Sequence, residues 1–354
     1  MRALTYHGSH ANGRGDFRVE DVPEPEIAAG MVRLDVEWCG ICGSDLHEFE
    51  AHTVSGYAPP IIIGHEFAGT VSEVAEGADG VRIGDRVAVE PFLRCHECQA
   101  CRADQYHLCP DLTVVGAQVT DGGFAQQAVV PAYAVHLLPE SVSTELGALV
   151  EPLAVGWHAL RKARFAAGQT ALVIGAGPIG LATLLGAQAM GGSLVAVSVR
   201  RAGARADAAA DLRADAVLDS SAVDVVARIM ELTDGRGTDV VIDTSGAPEA
   251  ITTAIGAVRA GGTIVSVAVW LEPAPCDYMQ VLLKEITIVG SKGYNRPDFP
   301  EVIAALADGR IAGAERIITT RIALDDVIPD GFAVLESDRS QHVKVLVAPG
   351  RGRR

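Results

Sequence analysis

The fold is decided by "TALVIGAGPIGLATLLGAQAMGGSLVAVSV", Thr170–Val199. An apolar run too short for a helix is followed by a glycine turn, an apolar helical stretch and a second apolar run. Gly175, Gly177 and Gly180, with Pro178 and Ile179 between them, have G-x-G-x-x-G spacing. Alone that spacing is weak evidence, and a purely structural turn would also satisfy it. Here it follows a buried strand and opens a helix, the context a dinucleotide site requires. The first glycine permits the tight turn, the second lets backbone approach a pyrophosphate, and the third lets helix and strand pack closely. The diphosphate is then expected at the helix N-terminus.

Outward from this stretch, "DAVLD", "TDVVIDTSG", "GGTIVSVAV" and "EITIVGS" read as further short strands. "VDVVARIMEL" and "PEAITTAIGAVRA" read as helices between some of them. Strands alternating with helices imply an α/β unit, a doubly wound parallel sheet covered on both faces. Upstream, "EPLAVGWHALRKA" has helical spacing, with Leu153, Trp157 and Leu160 on one side. Before about residue 150 the pattern is different. "VRLDVEW", "FAGTVSEVA" and "DRVAVEP" alternate apolar and polar residues, which predicts half-buried strands of a mainly β unit. Near the C-terminus "DFPEVIAALADGR" predicts a helix and "HVKVLV" a strand, while "GRGRR" is expected to be disordered. The expected domains are 1–153 with 291–354, and 154–290.

The chain has 354 residues, 49% hydrophobic and 21% charged, consistent with two globular domains. A formal net charge of −16 argues against nucleic acid as a partner, because a phosphate backbone needs a cationic face. Apolar stretches are broken by Gly, Gln or charges, so no membrane span is expected. The first ten residues show no signal-peptide pattern, and seven closely spaced cysteines favour metal ligation over disulfides. A cytoplasmic location is the expectation.

The second strand of the dinucleotide unit runs into "AVSVRRAGAR". An NAD site places Asp or Glu here to bond the ribose 2′-hydroxyl. This chain has Arg200 there and Arg201 next to it. Two guanidiniums suit a 2′-phosphate, so NADP(H) is favoured over NAD(H); two solvated arginines tolerating either cofactor is the alternative. Ser245 closes another predicted strand and is a further cofactor candidate. Val267 and Val269, in "SVAVW", border either the nicotinamide or simply core.

Two clusters carry metal chemistry. Cys95, Cys98, Cys101 and Cys109 follow C-x2-C-x2-C-x7-C within a lobe at about 90–110. Four thiolates close a tetrahedron around a structural zinc, with an iron–sulfur cluster or disulfides as alternatives. His96 and His107 are then bystanders. The other cluster starts from "WCGICGSDLHEFE", Trp38–Glu50. Cys39 and Cys42 make a C-x-x-C that suits half a zinc site or a thiol–disulfide couple equally. Further on come His65 and Glu66 in "GHEFAGT" and Glu151 in "EPL". Singly, each has an ordinary explanation: a hydrogen-bonded histidine, surface acids, an inert thiol. Together they make a Cys/His/carboxylate set with a position left open.

The whole pattern resembles the zinc-dependent medium-chain alcohol dehydrogenases from "ALTYHG" to "HVKVLV". It is most similar to their butanediol and sorbitol dehydrogenase branch, through "VEWCGICGSDLHE", "GHEFAG", "VEPLAV" and "LKEITIVGSKGYNRPDFPEVI". The resemblance implies a GroES-like catalytic domain beside the Rossmann domain, and two zincs per chain. Cys42, His65 and Glu66 would hold the catalytic one, with Glu151 a ligand or water-linked neighbour. Ser44 would bond the substrate oxygen, His47 would pass the proton toward solvent, and Asp45 would orient the ligating imidazole. Cys39 holds no ligand position in the family. The implied reaction moves a hydride between a secondary alcohol, such as 2,3-butanediol or its hydroxyketone, and the nicotinamide. Threonine or polyol oxidation, and a non-catalytic NADPH-binding role, are the alternatives. A homodimer or homotetramer is implied.

Overall fold

From the N-terminus the chain passes through β1 (Arg2–Ser9), β2 (Gly15–Asp21), β3 (Met31–Gly40), α1 (Gly43–Phe49), β4 (Ile61–Ile62), β5 (Glu66–Val74), β6 (Arg86–Val89) and β7 (Phe92–Leu93). α2 (Gln99–Arg102), β8 (Thr113–Val114), β9 (Gln127–Pro131), β10 (Val135–Leu137) and α3 (Thr144–Gly147) follow. This computed structural model describes residues 1–9, 13–50, 56–118, 120–270 and 272–350; the terminal arginines lie outside them. Alternation decides the β3 face: Val32, Leu34 and Val36 are buried while Asp35 and Glu37 are exposed. β3 lies at the centre of a seven-stranded sheet ordered β10-β6-β5-β3-β18-β17, where β17 is Ile318–Ala323 and β18 is Lys344–Ala348, with β9 also paired to β3. Its last two strands come from the C-terminal end of the chain.

The second stretch supplies α4 (Val150–Lys162), β11 (Thr170–Ile174), α5 (Pro178–Ala189), β12 (Leu194–Val199), α6 (Ala204–Asp211), β13 (Ala216–Asp219) and α7 (Val225–Leu232). β14 (Thr238–Asp243), α8 (Ala250–Ala257), β15 (Val258–Ser266), α9 (Tyr278–Lys284) and β16 (Thr287–Gly290) complete it. The six strands are all parallel, in the order β13-β12-β11-β14-β15-β16. The order reverses between β11 and β14, the switch point where a doubly wound sheet takes its ligand. Leu172, Val241 and Ile264 pack under Ala254 and Ile255 of α8. Each such full-size side chain stabilises the fold by about 1.5–3 kcal/mol.

One predicted element is corrected. The helical reading of "PEAITTAIGAVRA" runs too far: α8 ends at Ala257, and Val258 already pairs with Thr238 of β14. β-branched Val258 has a strand partner available, and sheet pairing wins over helical periodicity.

After β16 come α10 (Asp298–Ala307), β17 (Ile318–Ala323) and β18 (Lys344–Ala348). The chain divides into two compact units: Met1–Glu151, Asn295–Ala307 and the chain from Ile318 form one, and Pro152–Tyr294 with Asp308–Ile317 the other. In the first unit, Tyr6, Phe17, Phe49 and Phe332 make an aromatic cluster with ring centroids 5.1–5.4 Å apart. It seats α1 against β2 of the three-stranded sheet β2-β1-β4, and α1 carries the residues of interest.

Candidate active site

Cys42 is the N-cap of α1, in extended backbone. Asp45, three residues on, accepts the Cys42 N–H at 3.0 Å on Oδ2, closing a capping box. That places the thiol at the mouth of the helix, with Ser44 and His47 on its first two turns, both half-buried. His65 and Glu66 stand at the start of β5, 7% and 1% exposed. The ligand atoms of Cys42, His65 and Glu66 all lie within 4.8 Å of one another. Glu151, buried in the first turn of α4, stands outside that triplet but near enough to act on the His65 charge.

The electrostatics of this cluster seek a cation. Burial pulls the His65 pKa down, yet Asp45, Cys42 and Glu151 outweigh it and hold it well above the usual histidine value. Asp45 is fully buried, and its Oδ1 lies 3.7 Å from His65 Nδ1. His65 Nδ1 has no hydrogen-bond partner. The imidazole presents Nδ1 to the Asp45 carboxylate, as a metal-bound histidine backed by an acid does. A thiol, an imidazole and carboxylates converging in a largely buried cluster suit zinc.

Two neighbours of this cluster escape the sequence. Lys344, 1% exposed on β18, donates to Glu66 Oε1 at 2.8 Å, to Oε2 at 2.6 Å and to the Ile41 carbonyl at 2.9 Å. A lysine inside the apolar run "HVKVLV" was the available signal. Tyr57 is buried, and its hydroxyl donates to Asp45 Oδ1 at 2.6 Å. Its sequence surroundings, a Gly/Pro-rich loop, give no signal at all. Cys39 is fully buried and its thiol is pushed well up, first by burial and then by Asp45 and Glu66, so it is unsuited to redox exchange.

In the cysteine lobe, Cys98 caps α2, and the N–H groups of Cys98 and Cys101 donate to the Sγ atoms of Cys95 and Cys98. Sγ of Cys95 is 3.5 Å from that of Cys109 and 3.9 Å from that of Cys101. Those separations match the edge of a tetrahedron with bonds of about 2.3 Å and are far beyond a disulfide of about 2.05 Å. All four thiols fall in one cluster, and neither His96 nor His107 joins it. Arg94 anchors the lobe, with its guanidinium 4.0 Å from the Tyr106 ring centroid and 3.3 Å from Glu90.

In the second unit, Gly175 takes φ +103°, and a Cβ there would meet Thr244 Oγ1 at 2.9 Å. Gly177 caps α5 without any side-chain hydrogen bond, and Pro178 follows at the first turn, with Ile179 half-buried beside it. A Cβ on Gly180 would lie 1.9 Å from the Gly175 carbonyl oxygen. The free N–H groups of this turn suit an anion. Arg200 and Arg201 follow the end of β12 directly, both exposed. Two further groups gather there. Arg205 on α6 extends to 3.9 Å from where a Gly177 Cβ would stand. Asp219, at the end of β13, accepts the Ala202 N–H at 2.9 Å and acts on Arg201. Only strand pairing brings Asp219 here, so a linear scan for acids misses it. Ser245 is exposed, with its hydroxyl donating to Asp243 at 2.7 Å. Val267 and Val269 fall just past β15, the latter 60% exposed.

The family model described as "Alcohol dehydrogenase GroES-like domain" matches residues 28–140, and "Zinc-binding dehydrogenase" matches 178–308. The chain is 36% identical to (R,R)-butanediol dehydrogenase of Neisseria gonorrhoeae over 95% of its length and 97% of the relative's. It is 32% identical to sorbitol dehydrogenase of Halalkalibacterium halodurans, over 99% of both. Among solved structures, 2R,3R-butanediol dehydrogenase from Bacillus subtilis superposes with a TM-score of 0.90 at 36% identity, covering 98% of this chain and 99% of that one. A zinc-binding dehydrogenase from Sinorhizobium meliloti bound to NADP (31% identity) and an Escherichia coli alcohol dehydrogenase complexed with NADH (30%) each give a TM-score of 0.87, over the same shares. The paired domains, full-length relatives and shared fold agree: the chain belongs to the zinc-dependent medium-chain alcohol dehydrogenases, in their butanediol and sorbitol dehydrogenase branch, and is an NAD(P)-dependent oxidoreductase.

Proposed function

We propose that the protein interconverts a secondary alcohol bearing a neighbouring oxygen, of the 2,3-butanediol and acetoin type, with its ketone. The observation that carries this is the convergence of Cys42, His65 and Glu66 beside Ser44, backed by Asp45. Binding a nucleotide alone requires none of these residues. Cys42, His65 and Glu66 would hold a zinc that, when bound, would supply Lewis-acid polarisation of the alcohol oxygen. Ser44 takes the hydroxyl proton as it gives up its own, and His47 carries that proton toward solvent. Glu151 adds negative charge at the cluster, and Cys95, Cys98, Cys101 and Cys109 would hold a second, structural zinc.

The cofactor proposed is NADP(H). Arg200 and Arg201 directly after β12, with Arg205 reaching toward Gly177, supply cationic groups on this side of the sheet that would favour a 2′-phosphate; Ser245, Val267 and Val269 would border the nucleotide. Seven unpaired thiols suit a reducing compartment, the cytoplasm. A homo-oligomer is proposed as well, on the exposed apolar face of α9.

The test joins metal analysis to an initial-rate screen of diols, polyols and threonine with both cofactors. Two zincs per chain, highest kcat/KM on a vicinal diol, and at least a tenfold preference for NADP that Arg200→Asp reverses are expected. Full turnover after the chain is stripped of zinc would sink the reading. A polyol outperforming the diol would move the substrate to the sorbitol type, which the 32% identical relative represents.

A further inference from the structure

His65 Nδ1 is a buried ring nitrogen without a hydrogen-bond partner, although a carboxylate oxygen, Asp45 Oδ1, stands only 3.7 Å away. A separation of that length is not a hydrogen bond. Two other donors hold the carboxylate off. Oδ1 already accepts the Tyr57 hydroxyl at 2.6 Å, and Oδ2 accepts the Cys42 N–H at 3.0 Å. Asp45 is fully buried and tied from both sides, so the oxygen that faces His65 is the one Tyr57 has taken. Tyr57 is fixed in its turn: it is 7% exposed, and its ring meets Tyr6 edge-on with centroids 6.1 Å apart. The phenol cannot leave Asp45 without vacating core.

We propose that Tyr57 is a positioning residue that competes with His65 for Asp45 Oδ1, and so limits how strongly this carboxylate backs the metal-binding histidine. A histidine that holds a metal by one ring nitrogen carries its proton on the other, and an acid bonded to that proton makes the ring a stronger ligand. Tyr57 takes part of that acid away. His65 is left the weaker ligand, and a bound ion keeps more of its Lewis-acid strength for the alcohol oxygen. This inference rests on the zinc reading of Cys42, His65 and Glu66. It adds to that reading a residue outside the ligand set, acting through Asp45.

The experiment measures zinc affinity by chelator competition, followed on the ring proton signals of His65, in the full chain as wild type, Tyr57→Phe, Asp45→Asn and the double variant. Freed of the phenol, Asp45 Oδ1 closes on His65 Nδ1, and Tyr57→Phe is expected to bind zinc at this site about fivefold to tenfold more tightly. A tyrosine that merely supports the fold predicts the opposite sign, a looser site. The four-cysteine lobe is the internal control and should keep its zinc affinity within about twofold. In the Asp45→Asn background the phenylalanine change is expected to leave zinc affinity unaltered. Wild type alone gives a second reading, which stands even if Tyr57→Phe does not fold. Its zinc-loaded proton spectrum should show the Tyr57 hydroxyl far downfield and the His65 Nδ1 proton in the ordinary imidazole range. Equal or weaker zinc binding in Tyr57→Phe, a gain that persists without the Asp45 carboxylate, or a strongly hydrogen-bonded His65 Nδ1 proton in wild type overturns the inference and leaves the zinc reading intact. Wild type that binds no zinc at Cys42, His65 and Glu66 overturns that reading, and this inference with it.

Discussion

Lys344 shows how much a single residue can settle around an acidic cluster. Burial alone would lower its pKa, but Glu66 and Cys42 outweigh that and hold it above the ordinary lysine value. A folded-state pKa raised in this way gives stability that is complete at neutral pH and is lost only as pH climbs through the alkaline lysine range. Removing the ammonium leaves a buried Glu66 carboxylate uncompensated, at a cost of about 3–5 kcal/mol. Lys344→Met should therefore lower the urea midpoint of the metal-free protein sharply. Zinc should restore much of the loss by supplying the missing positive charge, and so should a second change, Glu66→Gln. An unchanged midpoint in metal-free Lys344→Met would refute this account of the pair. At this scale the sequence shows donor types but not pairings. Cys42, His65 and Glu66 could be named because thiol, imidazole and carboxylate in one chain suggest zinc. Tyr57 and Lys344 could not be assigned partners, because their contacts are made across separations of 12 and 278 residues.

The glycine turn was the most legible element, because each of its glycines answers a separate steric demand. The demands can be told apart. Alanine at Gly180 would put a methyl 1.9 Å from the Gly175 carbonyl, which is backbone and cannot swing aside. Alanine at Gly177 would meet nothing nearer than the Arg205 guanidinium at 3.9 Å. Gly180→Ala should thus lower the melting temperature by several degrees and abolish nucleotide binding, since α5 must move off β11. Gly177→Ala should melt with wild type yet bind NADP at least tenfold more weakly, its methyl standing where the diphosphate approaches. Thermal melts beside fluorescence titration of NADPH separate the two; equal melts, or a Gly177→Ala that binds normally, would count against this division of roles. Where the pattern misled, at the end of α8, the cause was a competition no window reveals. "GAVRA" continues an apolar helical period, but Val258–Ser266 can pair with β14 on one side and β16 on the other. The β-branched residues of that run follow the sheet.

At the scale of the molecule, the parallel sheet and the mainly β unit followed from a change of period near residue 150, whereas the return of β17 and β18 to the first sheet did not. A short apolar strand carries no mark of the sheet it will join. The same holds for faces left uncovered. On α9, Tyr278, Met279, Leu282 and Leu283 are 60–76% exposed, and Ile288 on the neighbouring edge strand β16 is 41% exposed. Monomeric proteins seldom leave such a contiguous apolar patch open, and an unpaired strand edge beside it invites pairing. A second copy meets both needs at once, because a two-fold axis sets the same helix and edge against themselves. Leu282→Glu with Leu283→Glu puts two carboxylates per chain into that contact and disturbs no core, since both side chains already face solvent within one chain. Light scattering should then give the mass of a single chain, 36.9 kDa, where wild type gives a multiple of it. Far-ultraviolet dichroism should be unchanged. An undiminished mass in the double variant would place any oligomer contact on another face, and a wild type that is already monomeric would leave this patch for a different partner.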